Sequence, residues 1–352
     1  MKLLHLPNEV DEADPATWQI GPRKALERLA REGVLSQYAA YSFLARWRQT
    51  RDAGKVQSEL LALCEAMRPD ILFWQHVSEF PLTGDFLDQL KARCRLLVYH
   101  EADIFDGLWK RPTPSMKVLF SRCDLALLVG LGAMAALARR HGARAVGYLP
   151  FEFDNVRFGR PWEPPAHRPH ALVMIANNWR GRIPGWPLPG GRRRVGLARR
   201  LAEVFGESLA LYGRGWEGVT GARGPLPFDQ QERALREGWA SINWDHYDDL
   251  PYYFSDRLPI ALAAGVVHVT SRHPGYEFLF RDCPGLYAVP TVEEAVDCAE
   301  WLLHRPRRAL IEEGLAAKAW VEANLEADVV YRHAVGLCAE RLVGLPPRAE
   351  GS

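Results

Sequence analysis

The chain has 352 residues, of which 48% are hydrophobic and 25% charged, and its 44 basic and 43 acidic side chains leave a net charge of +1. This length and composition are typical of a soluble globular protein with two domains, each with its own core. The balanced charge argues against a nucleic-acid binder, although it leaves open an enzyme that modifies nucleic acid.

The N-terminus, MKLLHLPNEVDEAD, turns acidic after a short apolar run, so it is not a signal peptide. No apolar segment reaches the ~18–20 residues needed to span a bilayer. The six cysteines lie far apart without a CxxC pair, which indicates buried free thiols. We therefore expect a cytoplasmic protein without a membrane span.

Short apolar runs alternate with helical patterns through residues 1–150, which predicts βαβ units and a parallel sheet. The segment Leu35–Arg51 fits either a strand or an irregular stretch. The predicted strands are Lys2–Leu6, Ile71–Gln75, Arg95–Tyr99, Leu125–Val129 and Ala145–Leu149.

A proline-rich stretch at 151–168 interrupts the pattern, which then restarts. We therefore predict an N-terminal Rossmann-like domain at 1–150, a linker at 151–168, and a second such domain at 169–325. A last helix and short tail at 326–352 are expected to cross back to the first domain. The fold class is α/β, with two doubly wound domains facing across a cleft. The predicted strands of the second domain are His170–Ile175, Ser208–Tyr212, Ala240–Trp244, Val266–Thr270 and Pro284–Val289.

Polar loops follow successive strands of the second domain, where ligands of open α/β sheets bind. A turn at Ser255, Asp256 and Arg257 opens a helix that Gly265 ends, and Ser255 or Asp256 can cap that helix. Arginine forks suit a diphosphate, carboxylates suit hydroxyls, and aromatic rings can stack on a base or sugar. Each loop also has a structural reading as a turn, a cap or a solvated segment. The ligand-binding candidates are Asn177, Arg180, Gly213, Arg214, Trp216, Asn243, Asp245, Ser255, Asp256, Arg257, Gly275, Tyr276 and Glu277.

The first domain supplies the candidates for acid–base chemistry. His76 ends one predicted strand, and His100, Glu101 and Asp103 end the next. A general base needs a tunable pKa and a place beside the substrate, although a lone histidine at a strand end is more often structural. The arginines at 192–194 are expected to form a solvated helix face.

Several stretches, in order, resemble GT-B-fold glycosyltransferases, and specifically the group-1-like proteins related to the spore maturation protein CgeB. They are ARAVGYLPFEFDNVRF, ALYGRGW, SDRLPIALAAGVVHVT followed by PGYEFLF, and GLYAVPTVEEAVDCAEWLLHRP. The resemblance implies a nucleotide-sugar donor, with a UDP-sugar as the expected one, on the second domain and an acceptor hydroxyl on the first. It also implies transfer without a metal or other cofactor, with Arg257, Arg214 and Arg180 neutralising the diphosphate.

One departure from the family concerns two glutamates that retaining relatives carry with seven residues between them. The corresponding positions here are Tyr252 and Ile260, so Asp245, Asp256 or Glu277 would have to take over. An inverting reaction would need a base such as Glu101 or Asp103, and the stereochemical outcome stays open. A catalytically degenerate relative that binds a glycan or a partner is the alternative. A dinucleotide-dependent oxidoreductase is disfavoured because no GxGxxG follows the first strand.

Overall fold

A computed structural model describes residues 1–11, 20–179 and 188–345. It divides into two compact units, one formed by residues 1–150 with the C-terminal helix and the other by Phe151–Glu326. Each contains one six-stranded parallel sheet, which confirms the predicted pair of Rossmann-like folds. Among the residues described, no helix is long and apolar enough to cross a membrane.

The first sheet has the strand order β2-β1-β3-β4-β5-β6. Its strands are apolar because helices cover both faces, as in other parallel sheets. The strands are β1 Lys2–Pro7, β2 Gln37–Ala40, β3 Ile71–Gln75, β4 Leu96–Glu101, β5 Leu125–Leu128 and β6 Val146–Tyr148. The helices are α1 Ile20–Arg31, α2 Phe43–Thr50, α3 Ala53–Met67, α4 Gly84–Lys91, α5 Pro114–Arg122 and α6 Ala133–Arg140, together with α13 Ala327–Val343 at the end of the chain.

The C-terminal helix α13 packs on α1 in the first unit. An ion pair of 2.8 Å joins Arg28 to Asp328. The Gln75 amide at the end of β3 donates to the hydroxyl of Tyr331 at 2.6 Å, so α13 also holds the end of a central strand.

The second sheet has the order β12-β11-β10-β7-β8-β9. Its core includes Leu172, Leu211, Trp216, Ile242 and Val269. The strands are β7 His170–Ile175, β8 Leu209–Tyr212, β9 Ala222–Gly224, β10 Gly238–Ile242, β11 Val267–Ser271 and β12 Leu286–Val289. The helices are α7 Gly191–Phe205, α8 Gln231–Arg236, α9 Arg257–Ala263, α10 Tyr276–Leu279, α11 Val292–His304 and α12 Arg307–Leu325.

Three local expectations change in the structure. The segment 35–51 contains both a strand, β2, and a helix, α2, because Phe43 and Leu44 bury one face of that helix. Strand β4 extends to Glu101, so His100 and Glu101 lie inside the sheet and not in the following loop. The first turn of α9 has no side-chain cap, since the Asp256 carboxylate accepts from Arg257 Nη1 at 3.3 Å. Gly265 has a φ of +72° after α9, as a helix-ending glycine should.

Candidate active site

The ends of β3 and β4 bring His76 and Glu101 together in the first unit. The two strands pair in parallel, with Gln75 opposite His100. Nδ1 of His76 lies 2.5 Å from Oε1 of Glu101. Glu101 is fully buried, whereas 15% of the His76 side chain is exposed. The carboxylate therefore lies beneath an imidazole that reaches the surface.

Every hydrogen bond to Glu101 comes from a group that can donate. Oε1 accepts from the backbone N–H of Asp103 at 2.7 Å, and Oε2 accepts from the Tyr99 hydroxyl. These donors stabilise an ionised carboxylate in a dry site. A carboxylate at Nδ1 fixes the tautomer of His76, so that Nδ1 carries a proton and Nε2 is the basic nitrogen.

The pKa of His76 is raised above its ordinary value. Burial acts to lower this pKa, but the charge of Glu101 and its hydrogen bond to the ring outweigh burial. Burial acts to raise the pKa of Asp103, but Lys110, whose Nζ lies 2.5 Å from Oδ2, and the charge of His76 together outweigh burial, so this pKa is lowered. The site is thus an imidazole–carboxylate pair beside an ion pair, the arrangement expected of a general base.

His76, Glu101 and Asp103 also form a group of side chains close enough together to hold a metal ion. His76 Nε2 and Asp103 Oδ2 lie 3.9 Å apart. Lys110 already neutralises Asp103, and Glu101 already accepts three hydrogen bonds. A metal ion at this position would compete with Lys110 for Asp103 and with the hydrogen-bond donors for Glu101.

The backbone of His76 has a φ of +53°, which is rare for a residue with a side chain. Its N–H donates to the carbonyl of His100 at 2.7 Å, which holds this conformation. Strained backbone of this kind clusters at functional sites. The amino-acid sequence does not indicate this φ value. It therefore predicts that His76 lies at a strand end but not the direction in which its ring points.

In the second unit, the loops after β7 and β8 interlock. The backbone N–H of Arg214 donates to Asn177 Oδ1 at 3.0 Å, and Asn178 Nδ2 donates to the carbonyl of Gly215 at 2.8 Å. Gly213 has a φ of +131°, and a Cβ there would lie 2.0 Å from the carbonyl oxygen of Ala176. The glycine is required because backbone crosses backbone at this point.

Trp216 is a core residue. It is 2% exposed, and its indole N–H donates to the carbonyl of Ala176 at 2.5 Å. The geometry therefore supports a packing role for Trp216, whose ring is not presented to a ligand.

A cavity of about 190 Å³ lies at the carboxyl ends of β7 and β8. Arg214, Arg257 and Asn177 line it together with the apolar residues Pro225 and Leu226. With Gly213, which also lines the cavity, the structure brings four of the predicted donor-binding residues to one site. Arg180 falls outside the described residues.

Asp245, predicted as a hydroxyl-binding carboxylate, is 2% exposed and forms a buried pair with His273. Its Oδ2 lies 3.2 Å from His273 Nε2, and its Oδ1 accepts from Asn243 Nδ2 at 3.2 Å. Burial acts to raise the pKa of Asp245. The hydrogen bond and charge of His273 outweigh burial, so the pKa of Asp245 lies below its ordinary value. Asp245 and Asn243 therefore hold the loops together, away from solvent.

Sequence reasoning missed Arg194, which it assigned to a solvated helix face. The side chain is buried, with Nε donating to the carbonyl of Trp244 at 2.5 Å and Nη1 to that of Asn177 at 3.0 Å. Burial lowers its pKa to about 10. Arg194 therefore connects the loop after β10 to the loop after β7. The sequence does not indicate this role, because Arg194 directly follows two exposed arginines.

The loop after β11 carries the remaining candidates. Tyr276 stacks on His273 with ring centroids 5.2 Å apart, and Gly275 has a φ of +98° with its N–H donating to Glu277 Oε2 at 3.2 Å. Tyr276 and Glu277 line a separate cavity of about 700 Å³. Ser255 is buried beside α9, and Asp256 pairs with Arg257.

Comparison with known proteins agrees with this geometry. Residues 192–336 match a family model described as glycosyl transferase-like. No curated protein matches the chain in sequence.

Solved structures match almost the whole chain in fold. HepE from Anabaena, solved with UDP and glucose, is 12% identical, with 98% of this chain and 100% of that chain covered and a TM-score of 0.57. Sucrose-phosphate synthase from Thermosynechococcus elongatus is 12% identical, with 97% of this chain and 99% of that chain covered and a TM-score of 0.62. An E. coli trehalose-6-phosphate structure bound with UDP-2-fluoro glucose is 10% identical, with 99% of this chain and 100% of that chain covered and a TM-score of 0.61. The chain therefore has the GT-B fold of two Rossmann-like sheets, and its residues 192–336 are similar to the glycosyl transferase-like family.

Proposed function

We propose that this protein transfers a sugar from a nucleotide sugar to an acceptor hydroxyl, with His76 as the general base. The observation that carries the proposal is the contact of 2.5 Å between His76 Nδ1 and the buried Glu101. His76 Nε2 removes the hydroxyl proton while the acceptor oxygen attacks the anomeric carbon. The bond from that carbon to the β-phosphate oxygen breaks, and the nucleoside diphosphate leaves. Direct displacement of this kind inverts the anomeric centre.

The second unit binds the donor in this proposal. Arg257 and Arg214 line the cavity at the strand ends, where they stabilise the charge that develops on the leaving diphosphate. Two of the structural relatives were solved with UDP or a UDP-sugar, which supports a UDP-sugar as donor. The stretch 255–280 also supports a relationship to the CgeB-like proteins within the wider fold.

Transfer without a metal is part of the proposal. The arginines supply the positive charge that a bound cation would otherwise provide at the diphosphate. We expect turnover to continue in excess EDTA. Loss of turnover in EDTA that zinc or magnesium restores would instead favour the alternative use of His76, Glu101 and Asp103 as metal ligands.

The position of the family's second glutamate is not available to a donor. Ile260 is a residue of α9 that is only 1% exposed. The burial of this position supports a mechanism that uses a base on the first unit instead. An isoleucine in place of that glutamate favours inversion over retention.

A donor screen tests the proposal. We expect UDP or a UDP-sugar to raise the melting temperature and to release UDP on incubation. Arg257→Ala should abolish the thermal shift, whereas Arg199→Ala, an exposed arginine on α7, should leave it unchanged. No shift with any sugar nucleotide would contradict the proposal. Binding without release of nucleotide would favour the degenerate relative that only binds its ligand.

A further inference from the structure

Gln231 is a buried polar side chain that faces the cavity at the ends of β7 and β8. It is the first residue of α8, only 5% of it is exposed, and it lines the same cavity as Arg214 and Arg257. Its Oε1 has no hydrogen-bond partner in the part of the chain that the structure describes. A buried amide oxygen without a donor is costly, which indicates that a ligand supplies the missing hydrogen bond.

The chemistry of Oε1 restricts what this ligand can present. A carbonyl oxygen only accepts hydrogen bonds, so its partner must carry an N–H or O–H group. An ionised phosphate offers acceptors alone, and the cavity's arginines are its natural partners. Gln231 therefore points to a different part of the ligand from the diphosphate.

The size and the walls of the cavity fit one flat ring. Its volume of about 190 Å³ leaves room for a flat heterocycle. Pro225 and Leu226 supply apolar surface, as base-binding pockets require. A pyrimidine with an imide N–H combines a flat apolar face with the donor that Oε1 lacks.

We propose that Gln231 reads the nucleobase of the donor, with its Oε1 accepting the N3–H of uracil. This inference rests on the proposed function, because it assigns the base end of the same nucleotide sugar. It makes Gln231 a specificity-determining residue for the nucleotide.

The test measures the Kd of UDP and of N3-methyl-UDP, which lacks the imide donor, for three proteins. These are the wild type, Gln231→Leu, and the control Gln230→Leu at the exposed neighbouring glutamine. We expect N3-methylation to weaken binding to the wild type and the control by about tenfold. Gln231→Leu should bind UDP about tenfold more weakly than the wild type and should barely distinguish the two ligands.

Three results with Gln231→Leu would overturn the inference. Equal UDP affinity in Gln231→Leu and the wild type would remove Gln231 from recognition. An equal loss on methylation in both proteins would show that the methyl group clashes elsewhere. A loss in Gln231→Leu that is the same for pyrophosphate as for UDP would make Gln231 a phosphate contact.

The proposed function fails separately. If the wild type binds no nucleotide diphosphate, the donor site and the base contact are both wrong. If it binds UDP and N3-methyl-UDP equally well, only the role of Gln231 is wrong. If Gln231→Leu does not fold, the wild-type comparison with N3-methyl-UDP is repeated in Gln231→Asn, whose shorter side chain should lose the same discrimination.

Discussion

Glu101 holds the ring of His76 by a contact of 2.5 Å to Nδ1, from a position inside β4 where the carboxylate is fully buried. The same carboxylate accepts from Tyr99 and from the backbone of Asp103. Because all three groups donate to it, Glu101 has one orientation, and so does the imidazole above it. This pair is the basis of the kinetic predictions.

Removing the base should reduce turnover more than donor binding. We expect His76→Ala to lower kcat by roughly 10²–10⁴ and Glu101→Gln to lower it by at least about tenfold, with the KM for the donor little changed. Release of the nucleoside diphosphate provides the measurement. The matched control is His333→Ala, an exposed histidine on α13. A loss confined to KM would assign the pair to binding instead.

The pH dependence should report the same pair. Only neutral His76 can accept a proton, so kcat/KM should fall as the pH drops through the pKa of His76. Glu101 holds this pKa above 6.5, and Glu101→Gln should therefore move the acidic limb of the profile to lower pH. An unchanged acidic limb in that variant would show that another group titrates.

His100 should make the first unit sensitive to acid. Burial lowers its pKa to about 3, and neither ring nitrogen has a hydrogen-bond partner within the described residues. The unfolded chain takes up a proton below pH 6.5 and the folded chain does not, so stability is lost as the pH falls below that value.

Urea unfolding of the wild type and of His100→Leu at pH 7.5 and 5.5 provides the measurement. When the pH falls from 7.5 to 5.5, we expect the free energy of unfolding of the wild type to drop by about 1.4 kcal/mol more than that of the variant. A constant difference between the two proteins would contradict neutral burial of His100.

Gly213 should not tolerate a side chain. A Cβ at this position meets the carbonyl oxygen of Ala176 at 2.0 Å, and the φ is +131°. We expect Gly213→Ala to lower the free energy of unfolding by about 2–4 kcal/mol and to weaken donor binding, because the loop of Arg214 must move. Gly218→Ala, with a φ of +82° and nothing within 4 Å, is the control and should cost only about 1–2 kcal/mol. Equal costs would show that the close approach does not matter.

The alternation of apolar runs with helical patterns predicts both parallel sheets apart from the short strand β9, because a central strand is a nearly continuous apolar segment such as Ile71–Trp74. Polar loops at strand ends also marked the region of Arg214 and Arg257. The burial and the partners of individual polar side chains could not be predicted in the same way. Asp245 and Arg194 look like exposed charged residues in the sequence, yet each is buried by contacts with residues far along the chain.

Gln231 shows the same limit from the opposite direction. It lies in a polar stretch beside the exposed Gln230, and the sequence does not indicate which of the two glutamines is buried. Only the packing of α8 against the strand ends buries one of them beside a cavity. Periodicity predicts which elements form, whereas long-range contacts decide which polar side chains face a ligand.

The anomeric configuration of the released sugar tests the central claim most directly. Sugar nucleotides that raise the melting temperature would be incubated with the protein, with water or a hydroxyl acceptor, and the first product followed by ¹H NMR before mutarotation. With an α-linked donor such as UDP-glucose, a base at His76 predicts a β-configured product, whose formation His76→Ala slows by roughly 10²–10⁴. An α-configured product would contradict direct displacement assisted by His76 and Glu101.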